Sequence, residues 1–246
     1  MKSKFYFIGA VCVLIAWCTL AEEDEKSRDW IASIYTGLDY ATGNTEEKAY
    51  KYGADFEKKN DSVYRYKLKI AGKYRKTEGD VSDSKIEADG EARRIFGATK
   101  RWFALGTLSA LHDDIKDINY RVKLGPNVGY YLKDTEELVA DVSTGLLYVR
   151  EKSLDTVEDY LAWRLAQWFD WHFSETARWW FGTEFFTDIS NFDDYNFRFF
   201  TAVESRINSH FTLIVALEDT YANRPEEGDD IEKNDLEISV GLRYTF

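Results

Sequence analysis

The chain has 246 residues and a formal net charge of −12 at pH 7, which argues against nucleic acid as a partner because polyanions are bound by basic surfaces. Its mean hydropathy is negative (−0.47), yet 16% of its residues are aromatic and it has only two prolines. High aromatic content, abundant charge and few prolines fit a β-barrel whose strands face lipid on one side and water on the other.

The first residues are typical of an export signal. A basic start precedes an apolar run over residues 5–20, and Ala21 offers a small-residue cleavage site. The run is shorter than the ~20 residues that a membrane-spanning helix needs. We therefore expect three regions: a signal peptide (1–21), a short acidic periplasmic segment (22–29) and an outer-membrane β-barrel (30–246).

From residue 30 the chain repeats one unit, a stretch of alternating apolar and polar residues followed by a polar break. Successive side chains of a strand point to opposite faces, so each unit predicts a strand with one apolar and one polar face. The third unit is the clearest, since Tyr66, Leu68 and Ile70 alternate with Lys67 and Lys69. We predict about twelve strands, near residues 30–40, 50–57, 64–74, 86–96, 102–112, 120–131, 137–149, 159–169, 177–189, 197–207, 211–221 and 235–246. The eighth also matches a short amphipathic helix.

The last unit, DLEISVGLRYTF, ends on two aromatic residues, Tyr244 and Phe246. This pattern resembles the terminal strand of a bacterial outer-membrane barrel, whose last aromatic residue is read by the insertion machinery. The last strand of a soluble sandwich alternates equally well. The end of the chain alone therefore leaves both interpretations open.

The polar breaks between the strands alternate in length. Short breaks lie at 58–61, 97–101 and 208–210, and longer, more acidic ones at 76–83, 113–119, 151–158, 190–196 and 223–235. Outer-membrane barrels have short periplasmic turns, longer outer loops and even strand numbers. The sequence thus predicts an all-β, transmembrane, antiparallel β-barrel. Aromatic residues near strand ends would form the girdles at the membrane boundaries: Trp30, Tyr40, Trp102, Tyr130, Tyr131, Tyr148, Trp168, Trp171, Trp179, Trp180 and Tyr221.

The polar faces of the predicted strands would line the lumen. The candidate lining residues are Arg65, Lys67, Lys69, Glu87, Asp89, Glu91, Arg121, Lys123, Asp141, Arg198, Glu204 and Arg206. Opposite charges on neighbouring strands attract each other, so these side chains form either a salt-bridge lattice that fills the barrel or a charged lining that selects solutes. A barrel of about twelve strands is intermediate in width and holds a narrow pore or none.

The sequence offers little for catalysis or cofactor binding. His112, next to Asp113 and Asp114, is the one candidate for an outer-rim protease or lipase, but such a run is more often a solvated turn. Metal-ligand spacings, a P-loop and a dinucleotide fingerprint are absent, so we expect no cofactor and no metal. Acidic residues 226–230 could collect Ca²⁺ and bridge to lipopolysaccharide, but they lack the ligand spacing of a calcium loop.

Three glycine-rich segments carry a family resemblance. They are Gly37 with residues 42–44, residues 124–130, and residues 240–246. With them the chain resembles a family of salt-induced outer-membrane proteins of unknown function. The resemblance implies an outer-membrane barrel and brings no catalytic residues.

We therefore expect a protein of the bacterial outer membrane that is a structural component of the envelope or a narrow, porin-like channel for small solutes or ions. The resemblance implies a link to salt or osmotic stress. Expected partners are outer-membrane lipid and lipopolysaccharide, the barrel-insertion machinery, and small solutes or ions, and an enzymatic role is not expected. Two alternatives are an outer-membrane enzyme that uses His112 and a soluble periplasmic β-protein.

Overall fold

In a computed structural model, the chain is a closed antiparallel barrel of twelve strands. The structure describes residues 30–42, 47–58, 63–77, 80–114, 117–154, 156–224 and 233–246. The predicted segments 1–21 and 22–29 and the acidic loop 226–230 lie outside the described residues. The strands are β1 (Ile31–Thr42), β2 (Glu47–Lys58), β3 (Tyr64–Thr77), β4 (Asp80–Phe96), β5 (Trp102–Asp113), β6 (Ile118–Asp134), β7 (Leu138–Ser153), β8 (Thr156–Trp171), β9 (Ala177–Asp188), β10 (Asn191–Arg206), β11 (Phe211–Ala222) and β12 (Asn234–Thr245).

Each strand pairs with its neighbours in sequence, and β12 pairs with β1 to close the barrel. The predicted fold class is therefore confirmed. The ambiguous eighth segment is a strand of 16 residues rather than a helix. No helix within the described ranges is long and apolar enough to cross a membrane.

The predicted pattern of loop lengths is largely wrong, because the strands continue into the polar breaks. β3 ends at Thr77 and β4 begins at Asp80, so most of the predicted loop 76–83 is strand. The breaks after β7 and β9 shorten in the same way, whereas the break between β11 and β12 stays long. Ladder hydrogen bonds join backbone groups. Polar side chains therefore do not end a strand whose partner continues.

The outer surface carries exposed apolar side chains that lie in register from strand to strand. One row is Leu108, Leu124, Tyr148 and Leu161, and another is Val203, Val215, Val240, Leu38 and Tyr50. These side chains are between 43% and 64% exposed. We call these two rows the apolar belt.

Part of the inner wall is apolar rather than charged. Phe103 and Leu105 of β5 point inward and pack with Ile95 and Tyr131. A second buried group lies further along the wall and consists of Leu147, Val149 and Ala162, with Tyr160 and Phe186 against it. Because these strands have apolar residues on both faces, alternation alone did not reveal which side chains lie inside.

Candidate functional site

Charged side chains meet across the barrel interior at Arg198. Its Nη1 lies 3.9 Å from Oε1 of Glu87 and 4.0 Å from Oε2 of Glu184, and its Nε donates to Oε1 of Glu218 at 2.7 Å. Arg198 is on β10 and Glu87 is on β4, with five strands between them in either direction around the barrel. Their contact therefore passes through the lumen. We call these four residues the Arg198 cluster.

The lumen is crossed at a second place by an aromatic contact. Lys67 of β3 holds its ammonium 5.2 Å from the ring centroid of Trp168 on β8. Trp168 stacks on Trp180 with centroids 5.3 Å apart, and Nε1 of Trp180 donates to Oε1 of Glu204 at 2.8 Å. Trp168 and Trp180 were predicted to lie at the lipid boundary, and this is wrong: both face the interior.

Glu204 of β10 is paired with two arginines, Arg178 and Arg243, that were not among the predicted lining residues. Nη1 of Arg243 donates to its Oε2 at 2.7 Å, and Nη2 of Arg178 lies 3.0 Å from the same oxygen. Arg178 also donates to Asp170 at 3.1 Å. The Glu204 side chain is 5% exposed, so its charge is neutralised within the barrel.

Two further arginines converge on Tyr131, which is fully buried rather than part of an aromatic girdle. Nη1 of Arg65 and Nη1 of Arg93 donate to its hydroxyl at 3.1 and 3.4 Å. Arg65 also pairs with Asp134 at 2.9 Å, and Arg93 with Asp141 at the same distance. These contacts join β3 and β4 to β6 and β7, and neither β3 nor β4 is a hydrogen-bonded neighbour of β6 or β7 in the sheet.

The remaining predicted lining residues are placed as follows. Lys69 lies in register between Asp55 and Asp89, and Glu91 pairs with Arg93 at 3.3 Å. Arg121 pairs with Glu151, and the ammonium of Lys123 lies 4.5 Å from the ring centroid of Phe186. Arg206 differs from these, because it is exposed at the end of β10 and donates to the backbone oxygen of Glu175 at 2.8 Å.

His112 is held in its hairpin by both ring nitrogens. Nε2 lies 3.0 Å from Oδ1 of Asp114, and Nδ1 lies 2.9 Å from the backbone oxygen of Asn119. Both nitrogens thus face oxygen acceptors of the same hairpin. This arrangement ties strand ends together and directs neither nitrogen at a nucleophile.

The two terminal aromatics are fixed at the closing seam. Tyr244 and Phe246 make an edge-to-face contact with centroids 5.0 Å apart. The backbone N–H of Phe246 donates to the carbonyl oxygen of Ala32 at 3.1 Å, which joins the end of the chain to β1.

The family model described as "Protein of unknown function, DUF481" matches residues 34–246. The chain belongs to this family. The description does not include the salt-induced character that the resemblance implied. No curated protein sequence matches this member of DUF481.

Solved structures similar to this DUF481 chain are barrels of outer-membrane proteins. The NanC porin has a TM-score of 0.57 at 9% identity, with 86% of this chain and 98% of that chain covered. The KdgM porin in complex with disordered oligogalacturonate has a TM-score of 0.51 at 10% identity, with 87% and 99% covered. The translocator domain of the autotransporter NalP from Neisseria meningitidis has a TM-score of 0.53 at 11% identity, with 97% and 96% covered. Identities this low establish the shared barrel fold alone.

Proposed function

We propose that this chain is a non-enzymatic protein of the bacterial outer membrane and that its barrel is a narrow, charge-lined channel for small ions or solutes. The apolar belt supports the membrane location, since an exposed apolar band around a barrel is stable in hydrocarbon and prone to aggregate in water. The same belt disfavours the alternative of a soluble periplasmic β-protein. That alternative predicts that the protein is released from cells without detergent.

The observation that carries the channel proposal is the Arg198 cluster. Its side chains extend from opposite walls of the barrel, and their charged ends are in contact. The lumen is therefore narrowed at this place by charged groups rather than by packed apolar side chains. Charged rings at a constriction select ions by sign. Two of the structural neighbours are porins, which is consistent with this role.

Planar-bilayer recording tests the proposal. The purified barrel, shown to be folded by heat-modifiable gel migration, is expected to give small discrete conductance steps. Arg198→Ala should enlarge the steps and shift selectivity towards cations, because the remaining carboxylates lose their counter-charge. Glu87→Gln should shift selectivity towards anions. Arg206→Ala, at the exposed rim, is the matched control and should behave as wild type.

The result against the proposal would be silence from the folded wild type and from both cluster variants. The barrel would then be closed, and a structural role in the envelope would replace the channel. Equal selectivity in Arg198→Ala and Glu87→Gln would also exclude the Arg198 cluster as the constriction.

A role in salt or osmotic stress is the finer part of the proposal and rests on the resemblance in the glycine-rich segments. A strain without the gene should grow more slowly than its parent at high NaCl, and the wild-type gene should restore growth. Equal growth of the two strains across salt concentrations would remove this part and leave the channel untouched.

The enzyme alternative depends on His112. We expect His112→Ala to leave any lipase or protease activity of the purified barrel unchanged, because both imidazole nitrogens are already directed at oxygen acceptors. A measurable activity that disappears in this variant, while the barrel stays folded, would restore the enzyme hypothesis.

A further inference from the structure

A shallow groove of about 310 Å³ lies on the outer wall of the barrel, across β4, β5 and β6. Its floor is one register row of small residues, Ala92, Gly106 and Pro126, and Tyr66 stands at the end of that row. A Cβ atom added to Gly106 would meet no atom within 4 Å, so the space above the strand is open. The next outward-facing register row on one side contains Leu108 and Leu124, which are 49% and 53% exposed.

Arg94 lies at the other side of this groove. In the next register row it is placed between Tyr64 and Ala104, and it lines the groove with them. Arg94 is exposed and points outward like Ala92. Its guanidinium forms no ion pair or hydrogen bond with any other residue that the structure describes. Among the residues that the structure describes, this cation on the outer wall therefore has no counter-ion.

The depth of Arg94 along the barrel fits a membrane boundary. It is two residues from Phe96, the end of β4, and the same end of the barrel carries the edge-to-face pair of Trp102 and Tyr130, with centroids 5.0 Å apart. Aromatic rings of this kind mark the boundary between hydrocarbon and headgroups. Arginine is tolerated on a lipid-facing wall at this depth because its head reaches polar groups.

We propose that this groove binds one anionic phospholipid of the periplasmic leaflet, with the phosphate on Arg94 and an acyl chain over Gly106. A planar guanidinium matches the oxygens of a phosphate and forms paired, charge-assisted hydrogen bonds with them. The small floor admits the chain, and the two tyrosines provide an apolar edge. The inference rests on the proposed function only in requiring that the barrel lies in a membrane.

A second copy of the chain is the competing occupant, and charge disfavours it. A two-fold interface places the same patch of both copies together. It would bring the two Arg94 guanidiniums to the same depth in the hydrocarbon boundary, where like charges repel each other. A lipid phosphate is attracted to the guanidinium of Arg94 instead.

Native mass spectrometry tests the site. The full barrel is reconstituted into phosphatidylcholine vesicles that contain a minor fraction of phosphatidylglycerol, and the lipids retained after gentle release are counted. We expect one retained phosphatidylglycerol on the wild type. Arg94→Gln should lose the preference for phosphatidylglycerol over phosphatidylcholine. Gly106→Leu, whose Cβ enters open space and whose side chain extends into the groove, should lose retention of both. Ala110→Leu, further along the outer face of β5, is the matched control and should retain the lipid.

Retention of phosphatidylglycerol that is equal in the wild type, Arg94→Gln and Gly106→Leu would overturn the site. A wild-type dimer that Gly106→Leu converts to a monomer, with lipid counts unchanged, would overturn it in favour of a second copy. A barrel that does not enter the vesicles at all would instead contradict the proposed function, so the two failures are distinguishable.

Discussion

Lys67 and Trp168 lie on strands that are well separated around the barrel, and the lysine ammonium is 5.2 Å from the ring centroid. In register, Lys67 has Glu57 on one side and Glu91 on the other. Lys67 is exposed to the lumen, and a cation over an aromatic face at an exposed site is stabilised by about 0.5–1 kcal/mol. This contact crosses the lumen at a place separate from the Arg198 cluster.

Removing the indole ring of Trp168 should therefore widen the lumen at this contact. Trp168→Ala is expected to give larger single-channel steps than wild type, and Lys67→Gln to shift selectivity towards cations because the flanking glutamates remain. Trp171→Ala is the control, since that ring is 39% exposed and contacts Phe173. Unchanged steps in Trp168→Ala would show that the limiting constriction lies elsewhere.

The two faces of β3 should respond differently to a change of charge. Leu68 is 42% exposed on the outer face, and Leu68→Lys should lower the free energy of unfolding by about 2–4 kcal/mol if the residue lies near the bilayer midplane. Lys67→Gln, on the inner face, should cost less. Urea unfolding of the barrel in vesicles measures both. The reverse ranking would mean that the two faces are assigned the wrong way round.

Gly129 is required by the ring of Phe103. A Cβ atom at Gly129 would overlap the ring atoms of Phe103, which is fully buried. Gly129→Ala should therefore lower the free energy of unfolding by about 1–3 kcal/mol through overpacking. Gly106→Ala is the control, because its Cβ enters open space. Adding Phe103→Leu should restore stability to Gly129→Ala, and failure to do so would point to a backbone cause.

Of the two described arginines that are paired with Glu184, Arg164 is more buried than Arg198. Its side chain is 8% exposed, and it also donates to Asn127 and Ser143 at 3.4 and 3.3 Å. Arg164→Met should lower the free energy of unfolding by about 1–3 kcal/mol, because the partly buried Glu184 loses its nearer guanidinium and keeps Nη1 of Arg198 at 4.0 Å. Glu184→Gln in the same background should recover part of the loss. Two strictly additive effects in urea unfolding would argue against direct coupling.

The terminal aromatics should matter for assembly more than for the finished barrel. Phe246 contributes one backbone hydrogen bond to Ala32, so its deletion should change equilibrium stability little. If the insertion machinery reads the aromatic end, the same deletion should slow assembly in cells and leave unfolded protein in the periplasm. Tyr221→Ala, in a strand away from the terminus, is the control. Normal assembly of the truncated chain would remove the proposed signal.

The period of two in the sequence was sufficient to find the strands. Alternation such as that of Leu68 with Lys67 is local, because the geometry of a single strand decides which residues share a face. All twelve predicted strands are present, including the eighth, whose pattern also matched a helix. Some strand ends were predicted wrongly: β3 extends to Thr77 rather than to residue 74, because a ladder continues wherever its partner does.

The sequence determined which side chains of a strand face the barrel interior only where one face of the strand is charged and the other is apolar. On β5 both faces are apolar, so nothing in the pattern showed that Phe103 points inward while Leu108 points outward. Trp168 was placed at the membrane boundary because it lies near the end of a predicted strand, although it shares a face with Arg164 and Asp170. The partners across the lumen, such as Arg198 with Glu87, were decided only by the tertiary structure, because closure of the barrel brings together residues that share neither a strand nor a neighbouring strand.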